Sequence, residues 1–83
     1  MRFRDEVVQL LIKTAARILD ADACAMSAET RFTEDLSAKS TDIVKFTVAL
    51  EDAYDVEVPF MAFKRCKTFG EAADYLSELT GID

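Results

Sequence analysis

A chain of 83 residues, 51% hydrophobic and 31% charged with two Gly and one Pro, folds as one domain, residues 1–83, around one core, and its composition excludes disorder. The net charge of −6 excludes nucleic acid as a partner, because a phosphate backbone demands many cations, and the absence of His excludes Ser-His-Asp and Cys-His nucleophile pairs and zinc-finger spacings. Charge is uneven: residues 28–58 carry eight acids and three bases, whereas 59–67 carry Lys64, Arg65 and Lys67 and no acid.

The first element is an amphipathic helix from Phe3 to Leu19, with Phe3, Val7, Leu10, Leu11, Thr14, Ala15, Ile18 and Leu19 recurring at steps of three and four. The acids at Asp5 and Glu6 stand where a signal peptide would begin its apolar run, and no apolar run reaches membrane-spanning length. Residues 20–39 lack sustained periodicity and read as a long ordered loop anchored by Met26, Phe32 and Leu36.

Periodicity returns from Ser40 to Tyr54. Ile43, Phe46, Thr47, Leu50, Ala53 and Tyr54 form the core stripe, and the opposite face carries Thr41, Val44, Lys45, Val48, Glu51 and Asp52. Two Val exposed at i, i+4 mark a contact surface. Asp55 to Val58 alternates like a strand but has no partner, and Pro59 follows, so it reads as a connector. Phe60 to Lys67 reads as a short third helix with Phe60 and Phe63 inward. Thr68 and Glu71 make a capping box for a last helix starting near Phe69, with the stripe Phe69, Ala72, Ala73, Leu76 and Leu79, closed by Gly81. Cys24 and Cys66 are too few for a disulfide framework and read as buried small hydrophobes, and Met26 and Met61 as packing fillers.

No acid-base dyad is visible, so catalysis is not expected. The junction of the long loop with the second helix stands out instead: Phe32, Glu34, Asp35, Leu36, Ala38, Ser40 and Asp42, followed by Ala49-Leu50-Glu51-Asp52, then Tyr54-Asp55-Val56-Glu57-Val58-Pro59. From its residue type and place alone, Ser40 is a helix cap, worth about 1 kcal/mol. The run nevertheless resembles the acyl carrier protein family around its modified serine, and Thr68-Phe69-Gly70-Glu71-Ala72-Ala73-Asp74-Tyr75-Leu76 is similar to that family's last helix.

The resemblance covers nearly the whole chain and implies an all-α fold, a four-helix bundle of acyl carrier protein type with three longer helices, a short third helix and a long loop between helices one and two. It further implies 4′-phosphopantetheine, derived from coenzyme A, on Ser40 and acyl groups held as thioesters. The expected partners are a phosphopantetheinyl transferase and acyl-loading and acyl-processing enzymes of fatty acid, lipid or polyketide biosynthesis, met by a cytoplasmic monomer that is not an enzyme. The docking surface would comprise Lys39, Thr41, Asp42, Val44, Lys45, Val48, Glu51, Asp52 and Asp55. Phe46, Leu50, Tyr54, Phe63 and Leu76 read first as core, and some could line an acyl tunnel.

Family members usually place Asp before the serine and Leu after it, where this chain has Lys39 and Thr41. Lys45 also replaces a usual acid, and the third-helix segment is more apolar and basic. These departures share one face and imply a specialised carrier serving a dedicated pathway. Two further readings stay open: an unmodified interaction module with the carrier fold, and an aminoacyl or aryl carrier of a nonribosomal peptide-type pathway. A hydrolase using Ser40 or a Cys is a third, weaker one.

Overall fold

The computed structural model describes residues 2–82, so Met1 and Asp83, the ends of the expected 1–83 domain, lie outside the described residues. Four α-helices follow in chain order: α1, Phe3–Leu19; α2, Ser40–Tyr54; α3, Phe60–Lys64; and α4, Phe69–Thr80, with a 3-10 turn at Ala23–Ala25 that periodicity had not indicated. α1 packs against both α2 and α4, and α3 packs against α2. Among the described residues there is no named strand, and the bundle expected from the sequence is the one observed.

Helix ends follow local chemistry. α1 carries Asp5 and Glu6 in its first turn and Arg17 in its last, matching charge to the helix dipole. It stops at Asp20 in the left-handed conformation (φ 55°), and α2 stops the same way at Asp55 (φ 52°), whose N–H donates to the Glu51 carbonyl at 2.9 Å. Aspartate tolerates this region better than most residues. α4 closes on Gly81 at φ 72°, as its glycine predicts.

At the start of α4 the Thr68 hydroxyl accepts the Glu71 N–H at 3.1 Å, but the Glu71 carboxylate accepts the N–H of Lys67 at 3.3 Å. The reciprocal box is thus displaced by one residue on its return leg.

The core is organised by a loop residue. The Phe32 ring lies 5.2 Å from Phe46, 5.5 Å from Phe63 and 4.9 Å from Phe69, centroid to centroid, in tilted and edge-on contacts. Phe32 joins helices α2, α3 and α4 without belonging to any of them.

Backbone hydrogen bonds hold the loop in place. Phe32 N–H donates to the Lys67 carbonyl at 3.1 Å, Phe69 N–H to Thr30 at 3.0 Å and Gly70 N–H to Ala28 at 2.7 Å, with an isolated antiparallel bridge between Arg31 and Thr68. Gly70 permits the last approach, since a Cβ there would come within 3.0 Å of the Ala28 carbonyl oxygen.

Several expectations need correction. α3 spans five residues, not eight, because residues 65–67 peel away to meet the loop through the Lys67 carbonyl. Phe63 is fully buried as expected, but Phe60 is only half-buried, with the Lys64 ammonium 5.9 Å from its ring centre. Val8 and Ile12 are buried while Leu10, Ile18 and Leu19 are half-buried, because α1 is covered on two sides. Ala53 and Leu79 are exposed. So are Cys24 and Met61, the latter 64% accessible, and neither is the packing residue its type suggested.

Candidate functional site

Ser40 opens α2. It is the first helical residue, not the cap, and the cap position belongs to Lys39, whose backbone is extended (φ −97°, ψ 171°). A lysine ammonium can only donate, so it offers nothing to the helix amides. Instead Asp42 turns back, its carboxylate accepting the Lys39 N–H at 3.0 Å, while the Lys39 carbonyl accepts the N–H of Asp42 at 2.9 Å and of Ile43 at 3.0 Å.

That arrangement leaves the amides of Ser40 and Thr41 without a hydrogen-bond acceptor among the described residues, and both side chains are exposed. Unpaired N–H groups at the positive end of a fifteen-residue helix favour an anion there. The loop before Ser40 is held by the Ala38 N–H donating to the Phe32 carbonyl at 2.9 Å, so the hydroxyl's position is referred directly to the aromatic core.

The outward face of α2 carries most of the residues expected to dock partners. Thr41, Val44, Lys45, Val48 and Asp52 are exposed, Val44 by 45% and Val48 by 47%, as are Lys39 before the helix and Asp55 at its end. Val44, Lys45, Val48 and Asp52 line a shallow groove of about 330 Å³ whose other wall is Arg17 and Ile18 of α1, a contribution that no local pattern announced.

Asp42 and Glu51 are different: both are half-buried, and one oxygen of each carboxylate accepts a backbone N–H. Asp42 is bound to Lys39 as above, and Glu51 accepts the Val58 N–H at 2.8 Å, tying α2 to the connector that follows it.

Phe46, Leu50, Phe63 and Leu76 are fully buried, while Tyr54 is half-buried with its ring edge-on to Phe3 at 5.0 Å. Burial, helped by Glu6, pushes the Tyr54 hydroxyl pKa up. Beyond the α2 face, Arg31 pairs with Glu34 at 2.6 Å and Asp35 at 2.9 Å. The hydrogen bond from Arg31 holds the Asp35 carboxyl below its ordinary range and raises Arg31 in turn.

Comparison with known proteins agrees with this layout. The family described as phosphopantetheine attachment site matches residues 9–76, from within α1 to within α4. The acyl carrier protein of Picosynechococcus sp. (strain ATCC 27264 / PCC 7002 / PR-6) is 38% identical over 65 residues, covering 78% of this chain and 80% of that one. The acyl carrier protein of Rubrobacter xylanophilus is 35% identical over 75 residues, covering 90% and 93%. The chain therefore belongs to the acyl carrier protein family, whose members bear a covalently attached 4′-phosphopantetheine and serve as carriers, not as enzymes.

Proposed function

We propose that Ser40 carries the arm, and that the protein holds acyl intermediates on it and presents them to the enzymes of a dedicated fatty acid, lipid or polyketide pathway. The observation that carries this reading is the exposed Ser40 hydroxyl at the start of α2, beside the acceptor-free amides of Ser40 and Thr41. The arm's terminal thiol supplies the carrier chemistry, holding the acyl group as a thioester.

Ser40 needs no activating base in its own chain, because a phosphopantetheinyl transferase performs the transfer. The helix start receives the phosphodiester's negative charge, and the Lys39 ammonium adds a second favourable charge beside it. Thr41, Val44 and Val48 offer apolar contact, flanked by Lys45 and Asp52, so that a partner must match both signs along one helix. That pattern selects specialised partners over general fatty-acid enzymes. The reading includes a monomer working in the cytoplasm, where the free thiols Cys24 and Cys66 stay reduced. Among the described residues no helix is long and apolar enough to cross a membrane.

The test is intact mass after incubation with coenzyme A and a broad-specificity phosphopantetheinyl transferase. Wild type should gain the mass of one phosphopantetheinyl group and Ser40→Ala none. No gain in wild type refutes the proposal and leaves the unmodified interaction module standing.

A further inference from the structure

A second concave surface lies away from the α2 face, between the loop at Arg31–Glu34 and the segment joining α3 to α4. It is a groove of about 430 Å³ whose walls carry Arg31, Lys64, Arg65 and Lys67 against one carboxylate, Glu34. Arg31 is already committed to Glu34 and Asp35. Lys64, Arg65 and Lys67 form no ion pair among the described residues and are all exposed. The nearby carboxylate of Glu71 is turned to the Lys67 backbone N–H.

Three like charges within four residues repel one another, and although Glu34 and Glu71 lie nearby, none of the three cations is ion-paired among the described residues. Outside the groove lining, but on the same short helix as Lys64, Met61 is 64% exposed and half-buried Phe60 has the Lys64 ammonium 5.9 Å from its ring centre, which places apolar surface next to the cations. Its concavity suits an inserted segment better than a flat lipid surface. Three cations on an acidic protein are also too few to hold a nucleic-acid backbone.

We propose that this groove docks an acidic loop of a partner protein, with two or three carboxylates against Lys64, Arg65 and Lys67 and an apolar side chain resting on Met61. Backbone hydrogen bonds tie one wall of the groove to the residues before α2: the Lys67 carbonyl accepts the Phe32 N–H at 3.1 Å, and the Phe32 carbonyl accepts that of Ala38, two residues before Ser40, at 2.9 Å. A partner gripping the groove is thereby set in register with the outward face of α2. With Asp52 and Asp55 at the far end of that helix, the chain presents cations and anions in a fixed order that admits one orientation. The proposal does not depend on Ser40 being modified.

The experiment titrates isotope-labelled protein with a terminally blocked synthetic peptide of alternating Glu and Leu, read by amide chemical shifts. Shifts should concentrate at residues 31–34 and 60–67, and the all-Gln counterpart should produce none. Affinity should fall at least about tenfold on raising salt from about 0.05 M to about 0.5 M, where screening shortens the reach of each charge. The triple variant K64E/R65E/K67E should lose at least about tenfold in affinity while keeping its helical circular dichroism, and K64Q/R65Q/K67Q should fall between.

Equal shifts with the Gln peptide, shifts confined to α2, or salt-independent binding would overturn the proposal. So would sedimentation with phosphatidylcholine-phosphatidylglycerol vesicles at concentrations where the peptide does not bind. Because the peptide assay reads unmodified protein, its failure is separate from a failure of Ser40 to accept the arm.

Discussion

Replacing Phe32 by Ala tests whether a loop residue organises this bundle. The side chain is 2% exposed and touches one aromatic ring from each of α2, α3 and α4, at centroid distances of 4.9 to 5.5 Å. Truncating a buried Phe costs about 3–5 kcal/mol, and three well-placed aromatic pairs, each worth about 0.5–1.5 kcal/mol beyond area, put this site at the upper end. A domain of this length has roughly 4–12 kcal/mol in total. The variant should therefore lose about 5 kcal/mol in urea unfolding followed by far-UV circular dichroism, with the slope unchanged. The Phe32 backbone also receives the Ala38 N–H and donates to Lys67, so amide exchange should quicken across residues 28–39 before it quickens in α1. A loss below about 1 kcal/mol would refute the assignment of Phe32 as the centre of the core.

Glu51→Ala should cost about 1–3 kcal/mol by stranding the half-buried Val58 N–H, whereas Glu51→Gln, which can still accept, should cost less; protection of the Val58 amide reports both. Cys24, exposed, should alkylate with iodoacetamide at pH 8 well before Cys66, whose thiol pKa is pushed up first by burial and then by Glu71 and Asp74; intact mass of C24S and C66S variants checks the order. Asp35 is held below its ordinary pKa of 3.8 by Arg31, so the stability it contributes is present above about pH 4 and is lost as pH falls through its lower folded-state value. Asp35→Asn should remove that part of the acid limb, and an unchanged acid unfolding curve would show the pair to be thermodynamically silent.

The three longer helices were legible because their signals are local. Phe3–Leu19 and Ser40–Tyr54 follow the three-four recurrence of apolar residues, and Phe69–Thr80 follows from Thr68 before it and Gly81 after it. Exposure of Val44 and Val48 was legible for the same reason, since both sit across the wheel from Phe46 and Leu50. What escaped depends on contacts distant in sequence. α3 is short because Lys67 is drawn to Phe32, thirty-five residues earlier. The tie from Glu51 to Val58 escaped because it depends on how the connector folds back onto α2. Cys24 and Met61 were misplaced because they lie where no periodicity assigns a face. Ser40 itself was legible only through resemblance, as its residue type and position alone specify a cap.

The residue before Ser40 makes the start of α2 incomplete in a way that the arm can correct. A side-chain acceptor at the cap is worth about 1 kcal/mol, and Lys39 cannot supply one. Asp42 recovers the Lys39 N–H, yet among the described residues the amides of Ser40 and Thr41 stay without acceptors. If Ser40 bears the phosphodiester, its negative charge sits at the positive end of α2 next to a cation, an arrangement worth about 0.3–2 kcal/mol. The modified protein should then unfold at higher urea than the unmodified one. Lys39→Asp provides the missing acceptor in advance, so it should stabilise the unmodified form by about 1 kcal/mol and shrink the gain on modification, since its carboxylate competes with the phosphodiester for the same charge. A gain that is equal in wild type and Lys39→Asp would mean that the arm's phosphate does not act on the helix start at all.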